Sequence, residues 1–272
     1  MKIPTTRRAH SLVAAGRSAL ALAIVGLLFA LGSNAVAAPT AVGLGTADSF
    51  AVLAGQGITN TGPTTITGDI GTFPNTSITG VTSLTLSGTN HAGDSVTQGA
   101  KTALGTAYTT AAGEGPTTAI PADLVGKTLK PGVYNSAAAV GLSGVLTLDA
   151  AGDPNAVWVF QAGSTLITAS GSKVVMLNGA QSCNVYWQVG SSSTLGTNST
   201  FIGTIMALTS ISLQTGAKLD GRALARDGAV TLDSNTITRS ACSISASSTR
   251  TGASQITAVP RGPVGTGDNG IG

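Results

Sequence analysis

A repeat of roughly 18 residues constrains the fold of this chain more than any other feature. The repeated unit is a Thr-Leu or Ser-Leu pair, whose leucines stand at positions 148, 166, 195, 213 and 232. Short strand patterns precede and follow each pair, with Gly, Ser, Asn and Asp between them, so each repeat predicts three short strands, one coil of a β-solenoid. The longest spacing, between Leu166 and Leu195, indicates a loop inserted through Asn178 to Cys183. The pairs are Thr147-Leu148, Thr165-Leu166, Thr194-Leu195, Ser212-Leu213 and Thr231-Leu232.

The repeat continues more faintly before residue 90, where Ile78 follows Ile58 at close to the same spacing. A different pattern follows, in which Asp94 is a suitable N-cap and apolar residues recur at helical spacing from Val96 to Tyr108. This pattern predicts one helix over about residues 94–112, roughly 28 Å long at 1.5 Å per residue. Six coils at about 4.8 Å each reach roughly 29 Å, so we expect the helix to lie along the stack.

The composition excludes several classes of protein. Charged residues are 9% and aromatic residues 4% of the chain, whereas soluble domains carry roughly 25% charge. A coiled coil or a charged disordered chain does not fit. With two His and two Cys, the chain has little material for a His-based catalytic triad or a Cys/His metal cluster. We therefore expect no enzyme activity, no metal site and no cofactor.

The two ends of the chain differ from its middle. Residues 1–38 combine a positive region, an apolar stretch of about 13 residues and the small residues Ala35-Val36-Ala37, which is typical of a cleavable export signal. The apolar stretch is shorter than the roughly 20 residues that span a membrane. Residues 243–272 are rich in Ser, Gly, Thr and Pro, which predicts a disordered tail or linker. The solenoid domain is expected over residues 39–242, secreted to the extracellular space or cell surface.

Removal of the export signal changes the charge of the chain. The signal holds four of the 14 basic residues and no acidic one, so 10 basic and 11 acidic residues remain, a net charge of −1. That balance argues against a nucleic-acid partner, and we expect no membrane association after cleavage. Export also permits Cys183 and Cys242 to form a disulfide; the alternative is two buried thiols.

Strand alternation predicts three different faces, since successive side chains point to opposite sides. The row before the Thr/Ser-Leu pairs sends large apolar residues outward, which the helix is expected to cover: Trp158, Tyr186, Met206 and Leu224. The row after the pairs exposes Lys173, Lys218, Asp220 and Arg239, an ordinary solvated surface. His91 and Lys101 are interpreted as surface residues too.

The row of the pairs themselves is expected to form a flat, free and uncharged face. With the leucines inward, Thr147, Thr165, Thr194, Ser212 and Thr231 form one outward column, and the positions two residues earlier form another. An uneven third column is predicted from Asp149, Ile167, Gln214 and Asp233. Thr ladders can simply stabilise a solenoid wall. The absence of charge favours instead a ligand that is itself flat and neutral.

At this point the chain resembles a known family, the type 1 bacterial and fungal ice-binding (antifreeze) proteins, first described as the domain of unknown function DUF3494. The resemblance covers roughly residues 43–242. Its motifs include Leu44-Gly45-Thr46-Ala47, Ile66-Thr67-Gly68-Asp69-Ile70-Gly71, Leu129-Lys130-Pro131-Gly132-Val133-Tyr134 and Asp220-Gly221-Arg222-Ala223-Leu224-Ala225-Arg226.

The resemblance implies a discontinuous right-handed β-helix with three faces, in which the N-terminal coil packs against the C-terminal one and the long helix lies alongside. It also implies that one flat side binds ice. We expect the protein to be a monomer that acts by adsorption, without chemistry. The candidate ice-binding residues are Thr59, Ser77, Thr79, Thr147, Thr165, Ser192, Thr194, Ser210, Ser212, Ala229 and Thr231.

Two alternative functions remain from the sequence. Some β-helices cleave acidic polysaccharides with grouped carboxylates, and Asp149 and Asp233 are the pair to consider for such an enzyme. The other alternative is a structural or adhesive module whose Thr/Ser face binds a cell-surface polymer, with the tail as a tether.

Overall fold

The computed structural model describes residues 38–242. The predicted tail and, apart from Ala38, the predicted export signal lie outside this range. No helix within it is long and apolar enough to cross a membrane.

Short strands dominate the described chain, with one long helix between two groups of them. The first group is β1 (Phe50–Ala54), β2 (Gly57–Thr61), β3 (Thr64–Thr67), β4 (Asp69–Thr72), β5 (Ile78–Thr79), β6 (Leu84–Ser87) and β7 (Asn90–Ala92). Helix α1 covers Ser95–Gly113. The second group is β8 (Thr117–Ala119), β9 (Thr128–Leu129), β10 (Gly132–Ser136), β11 (Val140–Leu142), β12 (Val145–Asp149), β13 (Trp158–Ala162), β14 (Leu166–Thr168), β15 (Lys173–Leu177), β16 (Val185–Val189), β17 (Ser193–Leu195), β18 (Thr200–Ala207), β19 (Ile211–Leu213), β20 (Lys218–Ala225), β21 (Ala229–Asp233) and β22 (Thr236–Thr238).

The strands pair in parallel and stack into three rows. The first row runs β8-β10-β13-β16-β18-β20-β1-β4-β7, the second β11-β14-β17-β19-β21-β2-β5, and the third β9-β12-β15-β18-β20-β22-β3-β6. Strands β18 and β20 each pass from the third row into the first around a corner. Gly203 has a φ of 106° at this corner, and a Cβ on Gly221 would overlap the Gly203 carbonyl oxygen. Glycine is needed here because the two parallel backbones approach each other too closely for a Cβ atom.

The order of the coils does not follow the order of the chain. Strands β1, β2 and β3 pair with β20, β21 and β22, so the N-terminal coils stack on the last coil of the chain. This pairing agrees with what the family resemblance implies. Helix α1 then connects this end of the stack to β8 at the other end.

Helix α1 lies along the first row, one residue displaced from its predicted range. The Asp94 carboxylate accepts a hydrogen bond from the Thr97 backbone N–H at 2.8 Å, the N-cap predicted from sequence. Its buried side, including Leu104 and Tyr108, forms one apolar cluster with outward residues of the first row such as Tyr186. The helix contacts both β7 and β13. The roughly 28 Å of helix matches the six steps between those strands, at about 4.8 Å each.

A second apolar cluster fills the space between the three rows. Its aromatic rings stack from coil to coil: the ring centroids of Phe160 and Trp187 are 3.9 Å apart, and Trp187 lies 4.9 Å from Phe201. Trp158 belongs to this interior, so its predicted outward orientation under the helix is wrong. Trp158 pairs with Val185 rather than with Tyr186, one residue away from the predicted alignment.

The two cysteines form a disulfide between Cys183 and Cys242, with their Cα atoms 5.4 Å apart. The bond joins the end of the inserted loop to the end of the described chain. It confirms the disulfide alternative over that of two buried thiols.

Candidate functional site

The second row presents two outward columns of small side chains, which we call the flat face. The first column contains, in stacking order, Gly141, Ile167, Thr194, Ser212, Thr231, Thr59 and Thr79. The second column lies two residues earlier on each strand and contains Thr165, Ser192, Ser210, Ala229, Gly57 and Ser77. Ten of the eleven candidate residues named from sequence therefore lie on one surface. No charged side chain belongs to either column.

Five successive coils carry a hydroxyl in the first column, and we call these residues the hydroxyl column: Thr194, Ser212, Thr231, Thr59 and Thr79. Within residues 38–242 none of these five hydroxyls hydrogen-bonds to another protein group. The second column differs, because the Ser192 hydroxyl accepts from the Ser210 backbone N–H at 3.4 Å and the Ser210 hydroxyl accepts from that of Ala229 at 3.2 Å. The hydroxyl column is thus the continuous part of the face in which every hydroxyl is free for an external ligand.

A close-packed layer lies directly beneath the hydroxyl column. The inward neighbours Ile211, Leu213, Val230 and Leu232 are at most 1% exposed. Because such interiors pack as densely as organic crystals, they hold the strands above them at fixed spacing. The flat face is therefore a rigid surface.

Thr147 does not belong to the flat face, which corrects the sequence prediction. Strand β12 pairs with β9 and β15 in the third row, where Thr147 is aligned with Thr128 and Val175. Two inserted loops, residues 150–157 and 178–184, lengthen the coils at this end, and the alignment on Thr-Leu pairs allowed for only one of them. Thr165 remains on the flat face but in the second column, because Leu166 aligns with Ser193.

The predicted third column is also different from expectation. Ile167 belongs to the first column, while Asp149 ends β12 in the third row. Only Gln214 and Asp233 follow the inward leucines of neighbouring coils at the edge of the flat face.

The Asp149 carboxylate is held by three neighbouring groups. Its carboxylate is 2.5 Å from the Lys130 Nζ atom and accepts hydrogen bonds from the Asn178 side chain and the Ala151 backbone N–H. Lys130 foremost, then Asn178, lowers the pKa of Asp149 to about 2. Asp149 and Asp233 lie in different rows, so they do not form the carboxylate pair that the enzyme alternative requires.

The junction between the chain's two ends lies within the flat face, where β2 pairs with β21. In the neighbouring β20, at the corner between the third and first rows, the buried guanidinium of Arg222 donates to the Asp48 carboxylate at 2.7 Å and to the Ser240 carbonyl at 3.2 Å. Arg222 is only 3% exposed. Its hydrogen bonds therefore join the segment before β1 to the segment after β22 and hold the N-terminal coils in register.

Two residues interpreted as ordinary surface residues have specific partners instead. The Lys101 ammonium on α1 donates to the Ala225 carbonyl at 2.6 Å and to that of Arg226, which ties the helix to the coil of β20. Burial lowers the pKa of Lys101 to about 8. The His91 Nδ1 atom is 2.6 Å from the Asp94 carboxylate at the start of the helix.

The third row carries a smaller set of hydroxyls that the sequence analysis missed. Three neighbouring coils expose two hydroxyl residues each, and the next coil carries Lys218 and Asp220 at the same positions. The signal in the sequence was the alternation Thr-Ile-Thr, Thr-Ile-Thr and Thr-Leu-Ser. These third-row hydroxyls are Thr65, Thr67, Thr85, Ser87, Thr236 and Thr238.

Both the sequence and the fold of this chain are similar to those of known proteins. Residues 52–238, more than half of the chain, match the family model described as Ice-binding-like. This match supports the expected family, whereas its "type 1" designation was wrong. An ice-binding protein of Nostoc sp. (strain HG1) is 49% identical over 196 residues, which is 71% of this chain and 72% of that protein.

Solved structures give the same result. The crystal structure of an ice binding protein from an Antarctic biological consortium matches with a TM-score of 0.74 and 46% identity, covering 75% of this chain and 94% of that one. The ice-binding protein of the Antarctic ascomycete Antarctomyces psychrotrophicus matches with a TM-score of 0.72 and 46% identity, covering 74% of this chain and all of that one.

Proposed function

The chain belongs to the Ice-binding-like family, and from that membership and the flat face we propose that it is a secreted protein that adsorbs to ice and slows ice growth or recrystallisation. The observation that carries this proposal is the hydroxyl column, whose five hydroxyls are regular, uncharged and, within the described residues, without protein partners. The face is also free of the helix, which lies on the first row.

The proposed mechanism is ordering of water by a rigid grid. Coils repeat at about 4.8 Å, and side chains two residues apart on a strand lie about 6.7 Å apart. Threonine methyl groups restrict the positions of neighbouring water molecules, and the hydroxyls hydrogen-bond to them. Water arranged on this two-dimensional grid then joins the ice lattice.

Adsorption follows from many weak contacts on one rigid body. Dissociation requires that the contacts break together, so the residence time on ice is long although each contact is weak. Ice growing between adsorbed molecules is forced to curve, and growth slows. We infer that no bond is made or broken in this process, so the protein acts without enzyme chemistry.

A pair of tyrosine substitutions in the same coil tests the face. Thr231→Tyr places a bulky group in the centre of the hydroxyl column, and we expect it to abolish most thermal hysteresis because the face can no longer lie flat on ice. Thr236→Tyr is the matched control, since Thr236 is equally an exposed threonine of this coil but lies on the third row. Both variants should keep the wild-type melting temperature.

The reverse result identifies another surface. Loss of activity in Thr236→Tyr with retention in Thr231→Tyr would assign ice binding to the third-row hydroxyls. Retention in both folded variants would refute binding through either face. Ice-affinity purification of the wild-type chain measures ice binding itself, independently of the face assignment.

We also infer the finer features of the molecule. The coils wind as a right-handed β-helix, residues 1–38 direct export, residues 39–242 form the solenoid domain, and residues 243–272 form a linker or tail. The secreted chain is a monomer whose partner is the ice surface, with no membrane attachment after cleavage. Mass spectrometry of the secreted protein tests the cleavage, and light scattering tests the monomer.

A further inference from the structure

We infer that Ile167 ends the ice-binding face and so limits the number of coils that contact ice, an inference that rests on the proposed function. Ile167 is aligned directly with Thr194, the first residue of the hydroxyl column. Its side chain is 52% exposed, more than that of any other large hydrophobic residue of the described chain. An exposed isoleucine stands where the next five coils carry a hydroxyl.

The shape of the surface changes at the same position. A shallow depression of about 270 Å³ lies here, lined among others by Gly141, Ser143, Ile167 and Ala169. On the far side of Ile167 the column position is Gly141, which has no side chain. A Cβ at Gly141 would lie 3.1 Å from the Ala122 carbonyl oxygen. Beyond Ile167 the column therefore presents no side chain, and a side chain added at Gly141 would require the Ala122 carbonyl to shift.

The coil of Ile167 is otherwise equipped like those of the hydroxyl column. Thr165 supplies a hydroxyl residue in the second column. The inward neighbours Leu166 and Thr168 are 1% and 3% exposed, and the Thr168 hydroxyl accepts a hydrogen bond from the Gly196 backbone N–H at 2.9 Å. The backbone at position 167 is thus already held in place. A substitution there alters the surface and leaves the packing beneath it unchanged.

Two substitutions separate the effect of the hydroxyl from that of side-chain size. Ile167→Thr shortens the side chain and adds a hydroxyl, whereas Ile167→Val removes one methyl group and gives nearly the shape of threonine without the hydroxyl. We expect Ile167→Thr to raise thermal hysteresis at equal molar concentration by about 1.2-fold or more, because six linked hydroxyls on one rigid body replace five. Ile167→Val should leave the activity at the wild-type level.

The control for a general effect of surface hydroxyls is Val145→Thr. Val145 is also β-branched and 45% exposed, but it lies on the third row. This variant should keep wild-type activity. Melting temperatures of all three variants verify that they are folded.

The outcomes distinguish this inference from the proposed function. Unchanged or reduced hysteresis in folded Ile167→Thr would overturn the inference, and so would an equal gain in Ile167→Val or in Val145→Thr. The proposed function fails separately, when ice-affinity purification does not retain the wild-type chain, and the assignment of ice binding to the flat face fails when Thr231→Tyr leaves the activity intact. If Thr231→Tyr abolishes activity and Ile167→Thr alone raises it, both stand.

Discussion

Arg222 illustrates how one residue joins the two ends of the chain. Its guanidinium is almost fully buried, whereas the side chain of Asp48, its charged partner, is 59% exposed. The two partners therefore differ in how readily water can solvate their charges. Removing the Asp48 side chain leaves a buried charge whose remaining hydrogen-bond partners, such as the Asp48 and Ser240 carbonyls, are neutral, whereas removing Arg222 leaves a carboxylate that water can solvate.

This asymmetry gives a prediction at the scale of the residue. Asp48→Ala should lower the free energy of unfolding by about 3 kcal/mol, because a buried unpaired charge is costly. Arg222→Met should cost less, about 1–2 kcal/mol, mainly through the hydrogen bonds that the Asp48 and Ser240 carbonyls lose. Urea denaturation of the two variants measures both values. A larger loss in Arg222→Met would show that the hydrogen bonds of the guanidinium outweigh its charge.

The positions of individual side chains on the flat face were predictable from sequence only where the register of the strands was also predictable. Thr194, Ser212 and Thr231 sit in coils of the regular length, where the alternation of inward leucine and outward hydroxyl is unambiguous. Thr147 shows the same alternation with Leu148 in the third row. Alternation identifies which side of a strand faces water, but the row in which the strand lies depends on coil length.

At the scale of the element, α1 was the clearest prediction and Lys101 the clearest omission. The helix has its own local signals, an N-cap and an apolar stripe, which need no knowledge of the rest of the fold. The hydrogen bonds of Lys101 to the coil of β20 join parts of the chain that are far apart in sequence, and they exist only after the helix has docked. No local pattern could have predicted them.

The docking of α1 should depend on pH through Lys101. Burial lowers the pKa of its ammonium to about 8, against 10.5 for the ordinary group. Between about pH 8 and 10.5 the Lys101 side chain is protonated in the unfolded chain and neutral in the folded chain. A rise in pH therefore stabilises the folded state, and the free energy of unfolding changes most steeply in this window. Relative to Lys101→Met, which keeps the apolar stem, the wild-type free energy of unfolding should rise between pH 7.5 and 9.5 by on the order of 1 kcal/mol, the partial exposure of the group being allowed for.

Urea denaturation of both proteins at several pH values within this window measures that difference. Comparison with the variant removes the contribution of tyrosines, including Tyr134 and Tyr186, whose pKa values burial raises. A difference that stays constant or falls with pH would show that the carbonyl hydrogen bonds hold the ammonium charged against the effect of burial.

The register of the strands between residues 140 and 200 was the weakest part of the sequence prediction. The coils from Val140 to Leu166 and from Leu166 to Ser193 are each about half as long again as the coil from Ser193 to Ile211. The added residues form two loops that follow no repeat period, although they contact each other through the hydrogen bond of 2.8 Å that the Gln181 side chain donates to the Pro154 carbonyl. Trp158 and Thr147 were both misplaced by these insertions, although their strands were recognised.

At the scale of the whole molecule, the continuity of the flat face depends on joining the two ends of the chain. Thr231 comes from the last coil of the chain, whereas its neighbour Thr59 comes from the first. Repeat spacing predicts coils but not which coil stacks on which, and here the family resemblance supplied the order. The flat face therefore exists only in the completed fold, where β2 has paired with β21.

Because the flat face is rigid and an ice surface is planar, bulky substitutions anywhere on the face should have the same effect on ice binding. One bulky side chain lifts the whole plane from the ice, so Thr194→Tyr and Thr59→Tyr should each abolish thermal hysteresis, and the double variant should lose no more than either single one. Thr→Val substitutions at the same two positions keep the plane flat and remove one hydroxyl each, so their partial losses should add. Hysteresis measured for the three variants of each kind tests this. Additive partial losses in the tyrosine series would mean that each coil meets ice independently, as on a flexible surface, and the grid mechanism would then not hold.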